Sequence, residues 1–176
     1  MGIRFFVGHG ASGSAASMAR HVEGLVARGI DAVAIDLPLK KAEAAVPVLQ
    51  GLVRDGIEGG QRPVVGGQSY GGRVASLAAA EAGAEYAALV LYSYPLHLPG
   101  RREMADERTA HWPRIACPVL LLSGEADPMA DLELLRARVA LLPNAELVTY
   151  PRLGHTLKPV LDDALERTAA FLRRLG

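Results

Sequence analysis

This chain of 176 residues has little of what would tie a protein to a membrane, an oxidising compartment or a polyanion. Its single cysteine, Cys117, has no partner for an internal disulfide, which fits a reducing compartment. The apolar runs, such as PVLLL at 118–122, are far shorter than the roughly 20 residues of a bilayer-spanning helix. Nineteen basic residues balance nineteen acidic ones, so no net field attracts nucleic acid or an anionic membrane. We expect a soluble, cytoplasmic protein without either partner.

Clustered metal ligands, internal repeats and long linkers are also missing from the sequence. No group of histidine, cysteine or carboxylate residues has metal-ligand spacing, so we expect no metal and no other cofactor. The apolar run at the N-terminus is interrupted by Arg4 and is too short for a signal peptide. Half of the residues are apolar, which is enough for one substantial core. Residues 1–176 are therefore expected to form a single domain, of an oligomeric state that the sequence does not specify.

Short apolar runs alternate along the chain with stretches of helical spacing. Six runs are predicted to be strands: IRFFV (3–7), DAVAI (31–35), PVVGG (63–67), AALVLY (87–92), PVLLLS (118–123) and AELVTY (145–150). The helical stretches cover about 15–29, 41–55, 70–83, 131–142 and 159–175. Runs without polar alternation are typical of strands buried on both faces, as in a parallel sheet covered by helices. The sequence therefore predicts an α/β fold.

Three residues whose side chains can take part in catalysis follow three of these strands, at the edge where ligands bind in an open parallel sheet. Ser69 stands in Gly67–Gly71, which matches G-x-S-x-G between a strand and a helix. Asp127 follows the fifth strand and His155 the sixth. Because a serine nucleophile needs a base oriented by a carboxylate, this set predicts a serine hydrolase triad in the chain order Ser, Asp, His. Asp131 is a second candidate acid, which we interpret as a helix cap.

The loop after the first strand, Gly8–Gly13, has two interpretations. Its sequence GHGASG satisfies G-x-G-x-x-G, and Asp36 ends the second strand where a ribose-binding acid would belong, as in a Rossmann-type dinucleotide site. Alternatively, it is an oxyanion loop, in which the backbone N–H groups of Ala11 and Tyr70 hold the oxyanion and His9 shapes the loop. We favour the oxyanion loop, because the dinucleotide interpretation leaves the three triad candidates without a role.

The segment between the fourth and fifth strands, from Ser93 to about Pro113, is too long for a tight connection. Long loops at the carboxyl end of such a sheet usually bind or cover substrate. We expect Tyr94 and His97, together with His9, to line a shallow substrate pocket. The alternative is a loop that is merely packed on the surface.

Beyond these residues, the chain resembles the α/β-hydrolase family over nearly its whole length. The closer likeness is to small, lidless, dienelactone-hydrolase-like members, whose elbow continues as G-x-S-x-G-G-R, here Gly67–Arg73. Those relatives share the segment Tyr94–Gly100, then an arginine and a histidine, here Arg108 and His111, and later an Asp-Pro pair, here 127–128. The resemblance implies a six-stranded parallel sheet in the order 2-1-3-4-5-6 without a lid domain. It also implies the triad named above.

Together these observations predict a serine hydrolase that cleaves a small carboxylic ester or a related acyl bond. Ser69 would attack, His155 would carry the proton, and Asp127 would orient His155. The partner implied is a small-molecule ester. The alternative from another class is a hydrolase-fold binding or scaffold subunit with little turnover, because some relatives resemble parts of regulatory complexes.

Overall fold

The computed structural model describes residues 2–175, which form one parallel sheet between two layers of helices. Its strands are β1 (Ile3–Gly8), β2 (Ala32–Ile35), β3 (Arg62–Gln68), β4 (Ala88–Tyr92), β5 (Val119–Gly124) and β6 (Ala145–Tyr150). Its helices are α1 (Ala19–Val26), α2 (Ala42–Gly56), α3 (Tyr70–Ala79), α4 (Met104–Thr109), α5 (Leu132–Val139) and α6 (Leu161–Arg173). The strand order β2-β1-β3-β4-β5-β6, with every pair parallel, confirms the prediction. No lid domain is inserted between the strands of the described residues.

The helices depart from the sequence prediction at their ends and after β4. A 3₁₀ turn, Ala15–Met18, precedes α1, and a second one, Lys158–Val160, precedes α6. The six residues of α4 lie inside the segment that the sequence predicts to be a loop. A helix of that length has too few positions to show an apolar period, so the sequence gives no sign of it. Within residues 2–175, every helix is too short or too polar to span a bilayer.

Successive side chains along each strand enter two separate cores, one on each face of the sheet. Strand residues facing α2 and α3 include Phe6, Val65, Leu91 and Leu121. Strand residues facing α1 and α6 include Phe5, Val64, Val90 and Leu120. Burial of one such large side chain contributes about 1.5–3 kcal/mol. Because both faces are covered, the strands carry continuous apolar sequence, and polar residues gather beyond their ends.

The carboxyl end of β3 consists of glycine because the neighbouring strands leave no room for a side chain. A Cβ atom on Gly66 would lie 2.0 Å from the carbonyl oxygen of Val90, its register partner in β4. A Cβ atom on Gly67 would lie 2.2 Å from the carbonyl oxygen of Gly8, its register partner in β1. The ends of β1 and β3 therefore touch through their backbones, and the loops that follow them start side by side.

Two histidines are buried in the helical layers. His111 lies against α3, where its Nε2 atom is 2.8 Å from the hydroxyl oxygen of Ser76. Burial and then the positive charges of Arg73 and Arg114 lower the pKa of His111 to about 4. Burial is also the larger cause that lowers the pKa of His21 to about 4. Both imidazoles are therefore neutral in the folded protein at neutral pH.

Two glycine-to-alanine substitutions should change stability in opposite directions. Gly51 lies inside α2 with only the tip of Arg54 near its Cβ direction, at 3.8 Å, so Gly51→Ala should stabilise the helix by about 0.5–1 kcal/mol. Gly66→Ala must push β3 away from β4 and should cost about 3 kcal/mol or more. In thermal melts we expect Tm to rise by about 1–4 °C for the first variant and to fall by roughly 6–12 °C or more for the second. A Gly66→Ala protein as stable as the wild type would contradict the close approach.

Acidification should weaken the fold partly through His111. The unfolded chain binds a proton near the ordinary pKa of 6.5, whereas the folded protein resists protonation until about pH 4. The free energy of unfolding should therefore fall as the pH falls through this window, and be unaffected by this group above it. His111→Gln, compared with the wild type by Tm at pH 7 and pH 5, should lose less stability over that interval. Equal losses in the two proteins would contradict a buried neutral imidazole.

Candidate active site

Ser69 occupies a strained turn between β3 and α3. Its φ of +49° and ψ of −109° lie in a region that residues other than glycine rarely adopt. The Ser69 N–H donates to the carbonyl oxygen of Tyr92 in β4 at 2.9 Å, and the Gly71 N–H donates to that of His9 at 2.9 Å. A Cβ atom on Gly71 would lie 2.5 Å from the carbonyl carbon of Gly8. The turn is thus held by strands on both sides, and the serine hydroxyl lies clear of the sheet.

The structure brings the three triad candidates into one chain of hydrogen bonds. The Ser69 Oγ atom is 2.9 Å from His155 Nε2, and His155 Nδ1 is 2.8 Å from Asp127 Oδ2. The Asp127 side chain is fully buried, and its Oδ1 atom accepts the Met129 N–H at 2.8 Å. The His155 side chain is 28% exposed. The carboxylate is therefore fixed in the interior, whereas the imidazole and the hydroxyl are accessible from outside.

The loops after β5 and β6 pack directly on each other, which sets the distance between Asp127 and His155. The Ala126 N–H donates to the carbonyl oxygen of Leu153 at 2.8 Å. A Cβ atom on Gly124, the last residue of β5, would lie 2.2 Å from the same oxygen. The residues that follow β5 and β6 are therefore held together by their backbones, one carrying the acid and the other the histidine.

Asp131 has the role of a helix cap, as the sequence predicted. Its Oδ1 atom accepts the Leu134 N–H at 3.0 Å at the start of α5. Arg102 lies 3.1 Å from the same oxygen. Asp131 therefore binds a helix end and an arginine, and the hydrogen bond to His155 comes from Asp127.

The two proposed oxyanion donors stand at the ends of the touching strands. Tyr70 is the first residue of α3, so its N–H has no partner inside the helix. Ala11 is exposed in the loop after β1, and among residues 2–175 neither of the two N–H groups has an acceptor. His9 is 1% exposed: its Nδ1 donates to the carbonyl oxygen of Gly10 and its Nε2 accepts the Leu37 N–H. His9 thus braces the loop from within and does not line a pocket.

Tyr94 and His97, expected to line the substrate pocket, are 2% and 3% exposed and point into the interior. The Tyr94 hydroxyl donates to the carbonyl oxygen of Arg108 at 2.7 Å, and its ring packs edge-to-face with that of Trp112, with 5.1 Å between the ring centroids. His97 accepts the Asp131 N–H through Nε2 at 3.1 Å. Because their polar atoms bind backbone groups of the protein itself, both residues hold the segment after β4 in place. The sequence shows which residues occupy a loop, but not the direction in which each side chain points.

The residues of the dinucleotide interpretation have structural partners of their own. Asp36 accepts the Ala15 N–H at 2.7 Å through Oδ1, at the 3₁₀ turn that follows the Gly8–Gly13 loop. The loop itself is joined to α3 by the bond from Gly71 to His9. The acid that would bind a ribose thus holds the start of the next helical segment.

One recess is lined by a residue of the hydrogen-bonded set, and a second is lined by Tyr70, which follows Ser69 in the chain. One, of about 570 Å³, is lined by the loop after β5 and the start of α5, including Asp127 and Arg136. The other, of about 580 Å³, is lined by residues of three separate segments, including Lys40, Tyr70 and Arg108. Sequence reasoning missed the second recess, because nothing in the linear order connects these segments. Among residues 2–175, no three His, Cys, Asp or Glu side chains gather as metal ligands would.

Comparison with known proteins shows what this architecture is similar to. No curated protein sequence matches the chain. Among solved structures, a monoacylglycerol lipase of Paleococcus ferrophilus has a TM-score of 0.84 at 15% identity, covering 100% of this chain and 97% of its own. The esterase Est1E of Butyrivibrio proteoclasticus has a TM-score of 0.80 at 18% identity, covering 99% and 88%. The esterase Pf2001 of Pyrococcus furiosus has a TM-score of 0.79 at 20% identity, covering 99% and 82%. At such identities, the likeness shows the fold.

A family model for the alpha/beta hydrolase domain matches residues 3–173. This range contains all six strands and all six helices, and the strand order is the one that the family resemblance implied. The chain therefore belongs to the alpha/beta hydrolase domain family.

Proposed function

We propose that the protein is a serine hydrolase that cleaves a small carboxylic ester or a related acyl bond through an acyl-enzyme. The observation that carries this proposal is the unbroken chain of hydrogen bonds from Ser69 through His155 to Asp127, which starts on a strained turn. Solved structures of the same fold belong to a lipase and to esterases, which is consistent with this chemistry. The G-x-S-x-G-G-R elbow supports the dienelactone-hydrolase-like branch of the family. A scaffold without turnover has no need of the strained turn or of an oriented imidazole.

In the proposed reaction, Ser69 Oγ attacks the carbonyl carbon of the ester while its proton passes to His155 Nε2. Asp127 Oδ2 accepts a hydrogen bond from the Nδ1–H of His155, which selects the tautomer with a free Nε2 lone pair and stabilises the imidazolium that forms. The imidazolium then gives its proton to the departing alcohol. A water molecule repeats the sequence in reverse, releasing the acid and restoring Ser69.

The backbone N–H groups of Ala11 and Tyr70 are the proposed donors to the oxyanion. They sit on the loop after β1 and at the start of α3, which the bond from Gly71 to His9 holds together. Donors that are already in place need no rearrangement as the negative charge forms. Loss of one such donor in other hydrolases costs about 10²–10³ in kcat, so this fixed geometry is a large part of the proposed rate acceleration.

Ser69 should be the residue that reacts with a fluorophosphonate probe. Labelling followed by peptide mass spectrometry should find the adduct on Ser69, and Ser69→Ala should lose ester hydrolysis by on the order of 10⁴-fold or more. Ser76 provides a matched control, because its hydroxyl also lies 2.8 Å from a histidine Nε2 atom, that of the buried His111. Ser76→Ala should keep the label on Ser69 and most of the activity. An adduct on Ser93 or Ser123, or none on the folded protein, would refute the proposal.

Substitution of Asp127 and of Asp131 should have different effects on activity. Asp127→Asn should keep the fold but lower kcat by up to about 10⁴-fold, because the amide no longer orients the imidazole or stabilises its charged form. Asp131→Asn should stay within a few-fold of the wild type, since asparagine also caps helices. Steady-state kinetics on a chromogenic acetate ester, with circular dichroism to check folding, would measure both. The opposite ranking would move the acid to Asp131.

A further inference from the structure

The second recess, which we call the cationic recess, carries more positive than negative charge. Its charged lining consists of Lys40, Lys41, Glu43, Arg73, Glu107 and Arg108. Four cations against two carboxylates give a local net charge of +2, whereas the whole chain has a formal net charge of zero. The charges come from the start of α2, the first turns of α3 and from α4, so folding gathers them at one place.

The cationic recess lies next to the elbow. Tyr70, which directly follows Ser69 in the chain, forms part of its wall, and its hydroxyl donates to the carbonyl oxygen of Pro38 at 2.6 Å. Arg73 is one helical turn further, and its N–H donates to the carbonyl oxygen of Ser69 at 3.0 Å. The wall of the recess therefore includes the residue that follows the candidate nucleophile and the arginine one helical turn beyond it.

Arg73 is only partly neutralised by its surroundings. Its Nη2 atom contacts Glu43 Oε1 at 2.8 Å, through a carboxylate that is 57% exposed. Its Nη1 atom is shielded from solvent and has no acceptor among the described residues. A guanidinium presents a planar fork that matches the paired oxygens of a carboxylate or phosphate. This single contact, to a carboxylate that is mostly exposed, leaves the Nη1 side of the guanidinium without an acceptor among the described residues.

The positive charge of Arg73 acts on two neighbouring groups. Burial and then Arg73 lower the pKa of the Arg108 guanidinium, whose Nη1 donates to the neutral carbonyl oxygen of Pro95 at 2.8 Å. Burial and then Arg73 also lower the pKa of His111. Glu43 acts on the pKa of both groups in the opposite direction. With four cations against two carboxylates in its lining, the recess offers an anion a positive potential.

We propose that the cationic recess binds a negatively charged group of the substrate, a carboxylate or phosphate carried by one half of the ester away from the bond that is cleaved. This inference rests on the proposed function, and it narrows the substrate class from small esters to small anionic esters. Arg73 binds the anion directly, and Lys40 and Lys41 attract it from the rim, where both are exposed. These lysines are two of only three in the sequence.

Two pairs of esters, each differing only in the charged group, test this preference and locate the anion. Sodium 4-acetoxybenzoate against its methyl ester places the charge on the leaving group, and mono-4-nitrophenyl adipate against 4-nitrophenyl 6-methylheptanoate places it on the acyl group. In whichever pair places the charge in the recess, the wild type should favour the anionic member in kcat/KM by about tenfold, and this preference should be smaller at high salt. Because the ratio is taken within one protein, a general loss of activity cancels.

The ratio should fall at least fivefold in Arg73→Gln and in the double variant Lys40→Gln/Lys41→Gln, and recover partly in Arg73→Lys. Arg54→Gln is the matched control, because it removes one positive charge at the far end of α2, where Arg54 is 77% exposed. It should keep the wild-type ratio. If Arg73→Gln fails to fold, the double variant Lys40→Gln/Lys41→Gln still tests the inference, because both lysines are exposed. A wild-type ratio near one in both pairs, or one that the lysine and arginine variants leave unchanged, overturns the inference.

Binding without turnover separates this inference from the proposed function. Calorimetry on Ser69→Ala should show tighter binding of the preferred anionic ester than of its neutral partner, by about tenfold, and Arg73→Gln in that background should abolish the difference. Equal binding of both esters overturns the recess while fluorophosphonate labelling of Ser69 still supports the hydrolase. Selective binding in a protein whose Ser69 does not react would instead overturn the hydrolase and retain the anion site.

Discussion

The contact between the backbones of β1 and β3 is the constraint on which the rest of the site depends. Gly67 has no room for a Cβ atom against the backbone of Gly8, and Gly71 lies against the same point from the start of α3. Two strand ends and a helix can meet this closely only where side chains are missing. Because they meet there, the loop after β1 and the turn at Ser69 share one set of hydrogen bonds. A larger residue at Gly67 or Gly71 would push the loop after β1 away from the turn at Ser69.

Much of this arrangement could be predicted from the sequence because it follows local rules. Each strand is a short apolar run, and in a parallel sheet the residue after each run belongs at the same edge, so Ser69, Asp127 and His155 could be placed together. Asp131 was recognisable as a cap because it precedes an apolar period at helical spacing. The structural roles of Tyr94 and His97 could not be predicted in the same way. Whether a side chain turns outward or inward depends on what packs against it, and that partner lies elsewhere in the chain.

The segment after β4 shows how much of a recognisable motif serves structure. Tyr94 binds the backbone at Arg108, Arg108 binds the backbone at Pro95, and His111 binds Ser76 of α3. These bonds close the segment on itself and press it against the helix that starts at the elbow. The motif therefore builds the wall of the cationic recess, and Arg73 and Arg108 stand where that wall meets α3.

The hydrogen bonds that position the site fall into two groups. Asp127 and His155 lie on loops that are joined through Ala126 and Leu153, whereas Ser69 is tied to β4 and, through Gly71, to the loop after β1. The two groups meet where β4 pairs with β5, and the Ser93 N–H continues this pairing beyond β4 by donating to the carbonyl oxygen of Leu122 at 2.8 Å. The orientation of the imidazole therefore depends on the contact between the loops after β5 and β6, and its distance from the hydroxyl depends on the pairing of β4 with β5.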